Sequence, residues 1–337
     1  MRIKMKPKEM WSRFCSENGI SLDIPHDEWA FCGGGKEGDE LADLVISGKK
    51  RATASWFESY VFEKEDIPKK GDISIILYDS GDAACIIRNH AVDVVPFSSV
   101  PLWHMYLEGE GEKGGDPEYW IKVHKDIFSK EAKEAGSEFD PTHMTVLEKF
   151  EVLYPSECAD EDIVVMEPCV DMADDIARYR QEFLDMDSSM DGCGSLRKTD
   201  DPLEWLDHCH MYADPEGEIP SNRVHATQLV LYKKSEKKIL GMIQVRYTLN
   251  EYLANYTGHI GYSVRPSERR KGYAKRMLKE AVNYCKALGI EEVLVSCHTY
   301  NEGSRRTILS CGGHFLSRVV DPEDGEELER YGIYTKA

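Results

Sequence analysis

The sequence predicts two α/β (more narrowly α+β) domains in tandem, each a small sheet with packed helices. Three observations carry that expectation. A chain of 337 residues is long enough for two cores of ordinary size. The polar segment PSECADEDI, residues 155–163, separates two blocks of strand and helix signals. In the second block a strand, an Arg-rich turn, a long amphipathic helix and another strand follow in order, which reads as a βαβ unit. The boundary is expected near residue 158, giving domains over 1–157 and 158–337.

Composition narrows the class. Hydrophobic residues make up 41% and charged residues 31%, the balance of a soluble globular protein. No run approaches the roughly 18–20 apolar residues a membrane-spanning helix needs. The basic start, MRIKMKPKEMW, has no apolar stretch behind it, so a signal peptide is not expected and a cytoplasmic location is. A formal net charge of −19 argues against extended, non-specific nucleic-acid binding, which needs Lys and Arg on phosphates, yet leaves room for a local basic pocket that holds one nucleotide. The ten cysteines are scattered without a CxxC pair and read as reduced thiols. His208, Cys209 and His210 could ligate a metal, but adjacent residues rarely converge on one ion, so no metal is expected.

In the first block a helix is expected over Asp39–Ser47, apolar at Leu41, Leu44 and Val45, with Gly48 as its stop. The stretch DISIILYDSGDAACIIRNHAVDVV reads as two strands around Ser80-Gly81, a hairpin turn pair. A second helix carries Trp120, Val123, His124, Ile127 and Phe128 on one face. The alternation Val146, Glu148, Phe150, Val152, Tyr154 closes the domain as a strand.

The second block opens with a helix near Asp174–Asp185, followed by a loop-rich stretch from about Asp187 to Asn222. Strands over 226–232 and 239–248 bracket the charged turn KKSEKK, and a third strand spans His259–Val264. The next helix is apolar at Ala274, Met277, Leu278, Ala281, Val282, Cys285 and Leu288, with Gly289 as its C-terminal stop. EEVLVSCH then reads as a buried strand.

The turn between that third strand and helix is the most informative part of the chain. The string HIGYSVRPSERRKGYAKRML gathers Arg269, Arg270, Lys271 and Lys275 around a helix start whose first amides have no intrahelical partner. Cations there oppose the helix dipole unless an anion is bound. Gly272 and Ala274 keep the approach small. A solvated basic turn that merely precedes a helix is the plainer alternative.

Here the sequence resembles the GCN5-related N-acetyltransferase (GNAT) superfamily. Arg269-x-x-Gly272-x-Ala274 matches its coenzyme A signature in the expected strand–turn–helix context. The resemblance covers about residues 162–337 and implies a mixed sheet flanked by helices, with acetyl-coenzyme A as co-substrate. It implies that the amides of Arg270, Lys271, Gly272, Tyr273, Ala274 and Lys275 hold a pyrophosphate. The backbone of Tyr262, Ser263 and Val264 would pair with the pantetheine arm, and Asn301 and Ser304 would line the cofactor downstream. The acceptor would be an amine whose identity the residues leave open. A base must deprotonate the amine and an acid must protonate the departing thiolate. The family's frequent tyrosine acid is replaced here by Ile308. Tyr300, Tyr331, Tyr334 and Cys311 are substitutes in principle, while His259, Tyr262 and Glu251 are candidates for the base, each read first as structural. Asp191, Asp200 and Asp201 in the loop-rich stretch would form an acidic wall suited to a cationic amine.

In the first block, SGKKRATAS places Lys49, Lys50, Arg51, Thr53 and Ser55 after a helix, and could hold a phosphate or a nucleobase or be an ordinary exposed basic loop. EGEGEK sets Glu108, Glu110 and Glu112 on alternate positions, by composition a solvated acidic loop. Together with Trp120-x-x-x-His124 these motifs resemble the ASCH domain, over about residues 8–154. That resemblance implies a PUA-like small β-barrel with helices and a cleft for RNA or a modified nucleoside. Some relatives remove acetyl from an acetylated nucleoside with a Lys, a Thr and a Glu, which would be Lys50, Thr53 and Glu110 here. Three readings follow: an amine acetyltransferase with a nucleotide-recognition module, a nucleotide-binding protein that only senses acetyl-coenzyme A, and an N-terminal amidohydrolase.

Overall fold

The computed structural model describes residues 5–336. The chain divides into two compact units, Met1–Glu161 and Asp162–Ala337. The division falls at residues 161/162, against the 157/158 boundary expected from composition, because the connecting segment is tied to both sides. Asp160 donates its amide to Val152 O and takes Arg51 Nε at 2.6 Å, whereas Asp162 receives Lys234 N and the Ser235 hydroxyl.

In the first unit the elements run α1 (Pro7–Asn18), β1 (Asp27–Trp29), α2 (Gly35–Ile46), β2 (Ala52–Trp56), α3 (Phe57–Glu63), β3 (Ile73–Leu77), β4 (Ala83–Pro96), α4 (Leu102–Glu108), α5 (Pro117–Glu134) and β5 (Met144–Tyr154). The five strands form a half-barrel sheet in the order β1-β3-β4-β5-β2, antiparallel except for β1 against β3. β4 is long and carries register shifts at 86/87 and 89/91 against β5, and such bulges bend a strand. One core cluster joins Ala42 and Val45 of α2 to Ile76, Phe150 and Val152. Another packs Trp120 and Phe128 of α5 on Trp56, Phe97 and Leu147.

The second unit runs β6 (Ile163–Met166), α6 (Ala173–Asp185), α7 (Pro202–Ala213), β7 (Ala226–Lys233), β8 (Lys238–Arg246), β9 (Ile260–Val264), α8 (Tyr273–Ala287), β10 (Glu292–His298), α9 (Glu302–Ser310), β11 (His314–Val320) and β12 (Glu327–Tyr334). Its strands form two antiparallel sheets, β6-β7-β8-β9 and β10-β12-β11. The expected loop over 187–222 contains α7, which the sequence announces in Asp201-Pro202-Leu203-Glu204: the Asp201 carboxylate caps Leu203 N at 2.8 Å and Pro202 opens the helix. Trp205 and Leu206 of α7 join Ile176, Tyr179 and Phe183 of α6 over Val230 and Met242.

The βαβ expectation also changes in one respect. β9 and β10 flank α8 but lie in different sheets, and an isolated bridge from Gly258 to Val295 joins them. Gly258 has φ +85, and a Cβ there would stand 2.2 Å from Leu294 O, so glycine alone permits the approach. Past that bridge the strands part, which leaves the outer edge of β9 without a strand neighbour among the described residues.

Candidate functional site

Two sites emerge, one in each unit. In the second, β9 ends at Val264 and the chain turns through Arg270 (φ +67) and Gly272 (φ +86) into α8. No side chain caps this helix, and a Cβ built on Gly272 would meet nothing within 4 Å. The first helical donation is Arg276 N to Gly272 O at 3.2 Å, so the amides of Tyr273, Ala274 and Lys275 come before the hydrogen-bonded turns. The four cations divide. Arg269 folds back, with Nη2 on Ser188 Oγ at 2.6 Å and its guanidinium 5.6 Å above Phe183. Lys271 meets Glu268 at 2.7 Å, and Lys238 holds the same carboxylate from the other side. Burial works against the Glu268 charge, but the two lysines outweigh it and hold the carboxyl below its ordinary range. Arg270 and Lys275 are exposed, with no ion-pair partner among the described residues. The result is an open helix N-terminus bearing two unengaged cations, a geometry fitted to a phosphate.

Around the edge of β9 the expected residues take different roles. Ser263 is buried, its hydroxyl 3.2 Å from both Tyr179 OH and Cys193 Sγ, so its side chain faces α6 and its backbone alone borders the edge. Tyr262 points the other way, its hydroxyl 2.8 Å from Ser304 Oγ on α9. Burial raises the Tyr262 phenol well above its ordinary value, so it stays protonated at neutral pH. Asn301 caps α9 by accepting Ser304 N at 3.1 Å, which fixes Ser304 under Tyr262.

His259 sits where the sheets meet. Its amide donates to Leu294 O at 2.8 Å, and its Nδ1 accepts Leu294 N at 3.0 Å. Burial and the neighbouring Arg246 push its pKa down to about 4. The imidazole is therefore neutral with its proton on Nε2, and the only basic nitrogen is already engaged. This geometry makes His259 a clasp between the sheets and argues against the base suggested by its place in the sequence. Ile308, in the place of the expected tyrosine, is fully buried; of the other candidates, Tyr331 is buried and donates to Glu329 at 2.6 Å, and Tyr300 and Tyr334 are exposed, stacked on His298 and His314. Burial raises the Cys311 thiol, and Glu251 lies on the surface.

In the first unit the basic loop is not a phosphate cradle. Lys50 is 1% exposed, its Nζ held by Glu108 Oε2 at 2.7 Å and Glu110 Oε1 at 2.8 Å. Arg51 is engaged by Asp160 and by the carbonyls of Val45 and Lys50. Gly109 makes the double grip possible. It has φ +69, and a Cβ there would stand 2.4 Å from Lys49 O, so the two carboxylates flanking it close on Lys50 from adjacent positions. Glu108 Oε1 further accepts Trp120 Nε1 at 2.7 Å, with His104 Nε2 at 3.4 Å and His124 Nε2 at 3.8 Å. Burial alone would raise the Glu108 carboxyl, but Lys50 and the two histidines hold it far below its ordinary range. Burial likewise disfavours the Lys50 charge, and Glu108 with Glu110 overrides that, so Lys50 is a fixed cation.

Thr53 lies on β2 directly opposite Glu148 of β5 and so shares its face. Asn89 donates to Glu148 at 2.6 Å, and burial raises this carboxyl above its ordinary value. Ser55 and Tyr60, 2.8 Å apart, continue the same face. The sequence analysis placed Glu108 in an acidic motif without giving it a role, and took Glu148 only as part of an alternation. The signals were there: Glu108 is four residues after His104 and next to Gly109, and Glu148 is the one charged residue among the inward positions of an apolar strand.

Comparison with known proteins bears on both units. Residues 27–154 match the model of the ASCH domain, and residues 195–312 match the model of the acetyltransferase (GNAT) family. The chain thus carries an ASCH domain followed by a GNAT domain. Among solved structures, an ASCH domain from Lactobacillus crispatus JV V101 is 27% identical over 45% of this chain and 97% of its own, with a TM-score of 0.39. A protein from Enterococcus faecalis V583 is 30% identical over 44% of this chain and 90% of its own, TM-score 0.39. A ribosomal-protein-S5-alanine acetyltransferase from Vibrio fischeri is 16% identical over 52% of this chain and 95% of its own, TM-score 0.39. No curated protein matches. Among the described residues no helix is long and apolar enough to cross a membrane.

Proposed function

We propose that the second unit transfers an acetyl group from acetyl-coenzyme A to an amine. The observation that carries this reading is the uncapped N-terminus of α8, with Gly272 open to approach and Arg270 and Lys275 unengaged, beside a β9 edge that no strand covers. The amides of Tyr273, Ala274 and Lys275 would bind the pyrophosphate, and the backbone of Tyr262–Val264 would receive the pantetheine arm. Acetyl-coenzyme A supplies an activated acyl thioester. The chain supplies amides on β9 against the oxygen on which charge develops. Tyr262 is assigned as the proton donor to the departing sulfur, because its hydroxyl, held by Ser304, belongs to the strand segment that would receive the pantetheine arm. His259 is assigned to holding that parting rather than to proton transfer.

Calorimetric titration with acetyl-coenzyme A tests this directly. Micromolar binding that disappears in Gly272→Glu is expected, followed by release of free coenzyme A in the presence of an amine panel. Binding without release for any amine would instead favour an acetyl-coenzyme A sensor.

For the first unit the reading is a recognition cleft for a neutral part of a nucleotide or RNA, such as a base. The charge of Lys50 is already matched by two carboxylates, which disfavours a phosphate there. Removal of acetyl from an acetylated nucleoside by Lys50, Thr53 and Glu110 is the second reading. It is favoured by the placement of Thr53 on one face with Glu148. Release of acetate from N4-acetylcytidine, lost in Thr53→Val, would support it; no turnover at high enzyme concentration would leave recognition alone.

A further inference from the structure

Gly261 of β9, one residue before the segment assigned to the pantetheine arm, has an anionic loop and an arginine beside it. A Cβ built on Gly261 would stand 3.1 Å from Gly192 N and 3.6 Å from Arg246 Nη2. Gly192, at φ +70, comes closer still: a Cβ there would lie 2.0 Å from Gly261 O, so glycine alone lets the loop that carries Asp191 rest on β9. Of the acids expected to wall the acceptor side, Asp201 is occupied with capping α7, whereas Asp191 is brought to this edge.

Arg246, at the end of β8, is half-buried. It donates Nη1 to Gly258 O at 2.9 Å and forms no ion pair among the described residues. Its neighbour is a second cation: Arg223, exposed, lies three residues before Ala226, the cross-strand partner of Arg246. Burial first, and then Arg223, bring the Arg246 pKa down to about 10, while Asp191 acts against them from beyond ion-pair distance. A third donor stands close by. The His259 Nδ1 accepts Leu294 N, which leaves the ring proton on Nε2, and the Arg246 charge acts on this ring. Two guanidinium groups and an imidazole N–H thus face a single carboxylate, and a half-buried cation without a close counter-ion carries a desolvation cost.

The chemistry that completes this arrangement is a carboxylate, which a planar guanidinium receives through two parallel hydrogen bonds. Arg223 and Asp191 are both exposed, so the group opens to solvent and its occupant needs no enclosed cavity. The opposite sign is also provided for. The Asp191 charge acts on Tyr262 and on Tyr300 as well as on Arg246, which places an anion at the transfer edge and the two arginines next to it. Such a pair of unlike charges complements a molecule that carries an amine and a carboxylate a few bonds apart.

We propose that the acceptor is an amino acid, its carboxylate bound by Arg246 and Arg223 and its amine drawn to the transfer edge by Asp191. The proposal rests on the transferase reading for its purpose, but not for its first test, which needs no cofactor. The isotopically labelled full chain is titrated with N-acetylglycine, the acetylated form of the simplest such acceptor, while the Arg246 guanidinium and His259 ring signals are followed. Saturable shifts are expected, absent with N-acetylglycinamide, absent in Arg246→Gln and unchanged in Gly272→Glu. No saturable shift, or an equal response to N-acetylglycinamide, would overturn the proposal. So would acetate binding as tightly as N-acetylglycine, the mark of a site for any small anion. The second measurement is coenzyme A release with amino acids and with their amides. Arg246→Gln should lower the ratio of kcat/KM for acid over amide about 10-fold or more, the size of one lost charged hydrogen bond, with acetyl-coenzyme A affinity unchanged. Comparing that ratio between variants cancels the different basicity of the two amines. Arg223→Ala, at an exposed position, guards against misfolding of the first variant and should lower the same ratio by a smaller factor. An unchanged ratio in both variants would overturn the proposal. If no amine releases coenzyme A, the transferase reading fails while the titration still decides the carboxylate site.

Discussion

Both units carry a lysine- and arginine-rich turn beside a glycine, and the two turns do opposite things. In the first, Lys50 is turned inward and held by Glu108 and Glu110 beneath Trp120 and two histidines. In the second, Arg270 and Lys275 stay in solvent around an uncapped helix start. One turn is an internal charge cluster whose value depends on completeness; the other leaves its cations in solvent beside an uncapped helix start. Charge in a sequence says little until its neutralising partner is located, and for Lys50 that partner is 58 residues away.

The largest expected effect that tests this contrast is on ligand binding. Gly272→Glu places an anion and a Cβ at a left-handed position in the proposed phosphate site, and should weaken acetyl-coenzyme A binding about 100-fold or more, roughly 2.7 kcal/mol; calorimetry reads it. Unchanged affinity would remove the receptor half of the comparison.

Next comes stability. Glu108→Ala leaves Lys50 buried with half its compensation and should cost about 3–5 kcal/mol in denaturant unfolding of the first unit. Lys275→Ala should change the stability of the second by less than about 0.5 kcal/mol. Equal effects would show that both turns are ordinary surface charge.

Acid titration separates the units further. His259 has its pKa pushed down to about 4 from an ordinary 6.5, so the unfolded chain binds more protons between those values. The stability contributed by the clasp is complete above about pH 6.5 and is lost as pH falls toward 4. Glu108 is also depressed, so its contribution is present above the ordinary carboxylate range and is lost only as pH falls below it. Lys50 is raised, and its contribution persists through neutral pH and is lost only in strong alkali. Near-ultraviolet circular dichroism, or amide exchange resolved by unit, should therefore show the second unit loosening first as pH falls.

The smallest effect expected is at His259 itself. Asn offers an oxygen near the place of Nδ1, so His259→Asn should keep the Leu294 hydrogen bond and retain acetyl transfer within a few-fold. A loss of about 10²–10⁴ would restore the histidine as a proton acceptor.

Much of this molecule was legible in its residues. The apolar repeat of Met277, Leu278, Ala281 and Cys285 reads as the buried face of α8, and all four are buried. Gly272 at the end of an Arg-rich turn announces the start of α8, because the helix signal acts locally. The twelve residues of α7 were legible too, in an Asp-Pro cap, but the polar residues on either side obscured them. Glu148 was counted as part of an alternation, yet a carboxylate at an inward position is itself a signal.

What local pattern determined, then, is where helices and strands begin and which faces are apolar. Those properties depend on spacings of a few residues and on the backbone's own donors. Tertiary structure decided the rest. It alone shows that Lys50 is sequestered, that His259 gives its basic nitrogen to Leu294, and that β9 and β10 part after a single bridge. Each of these depends on a partner 35 or more residues away along the chain, so the ionisation and free valence of the side chain are set by packing that no local spacing encodes.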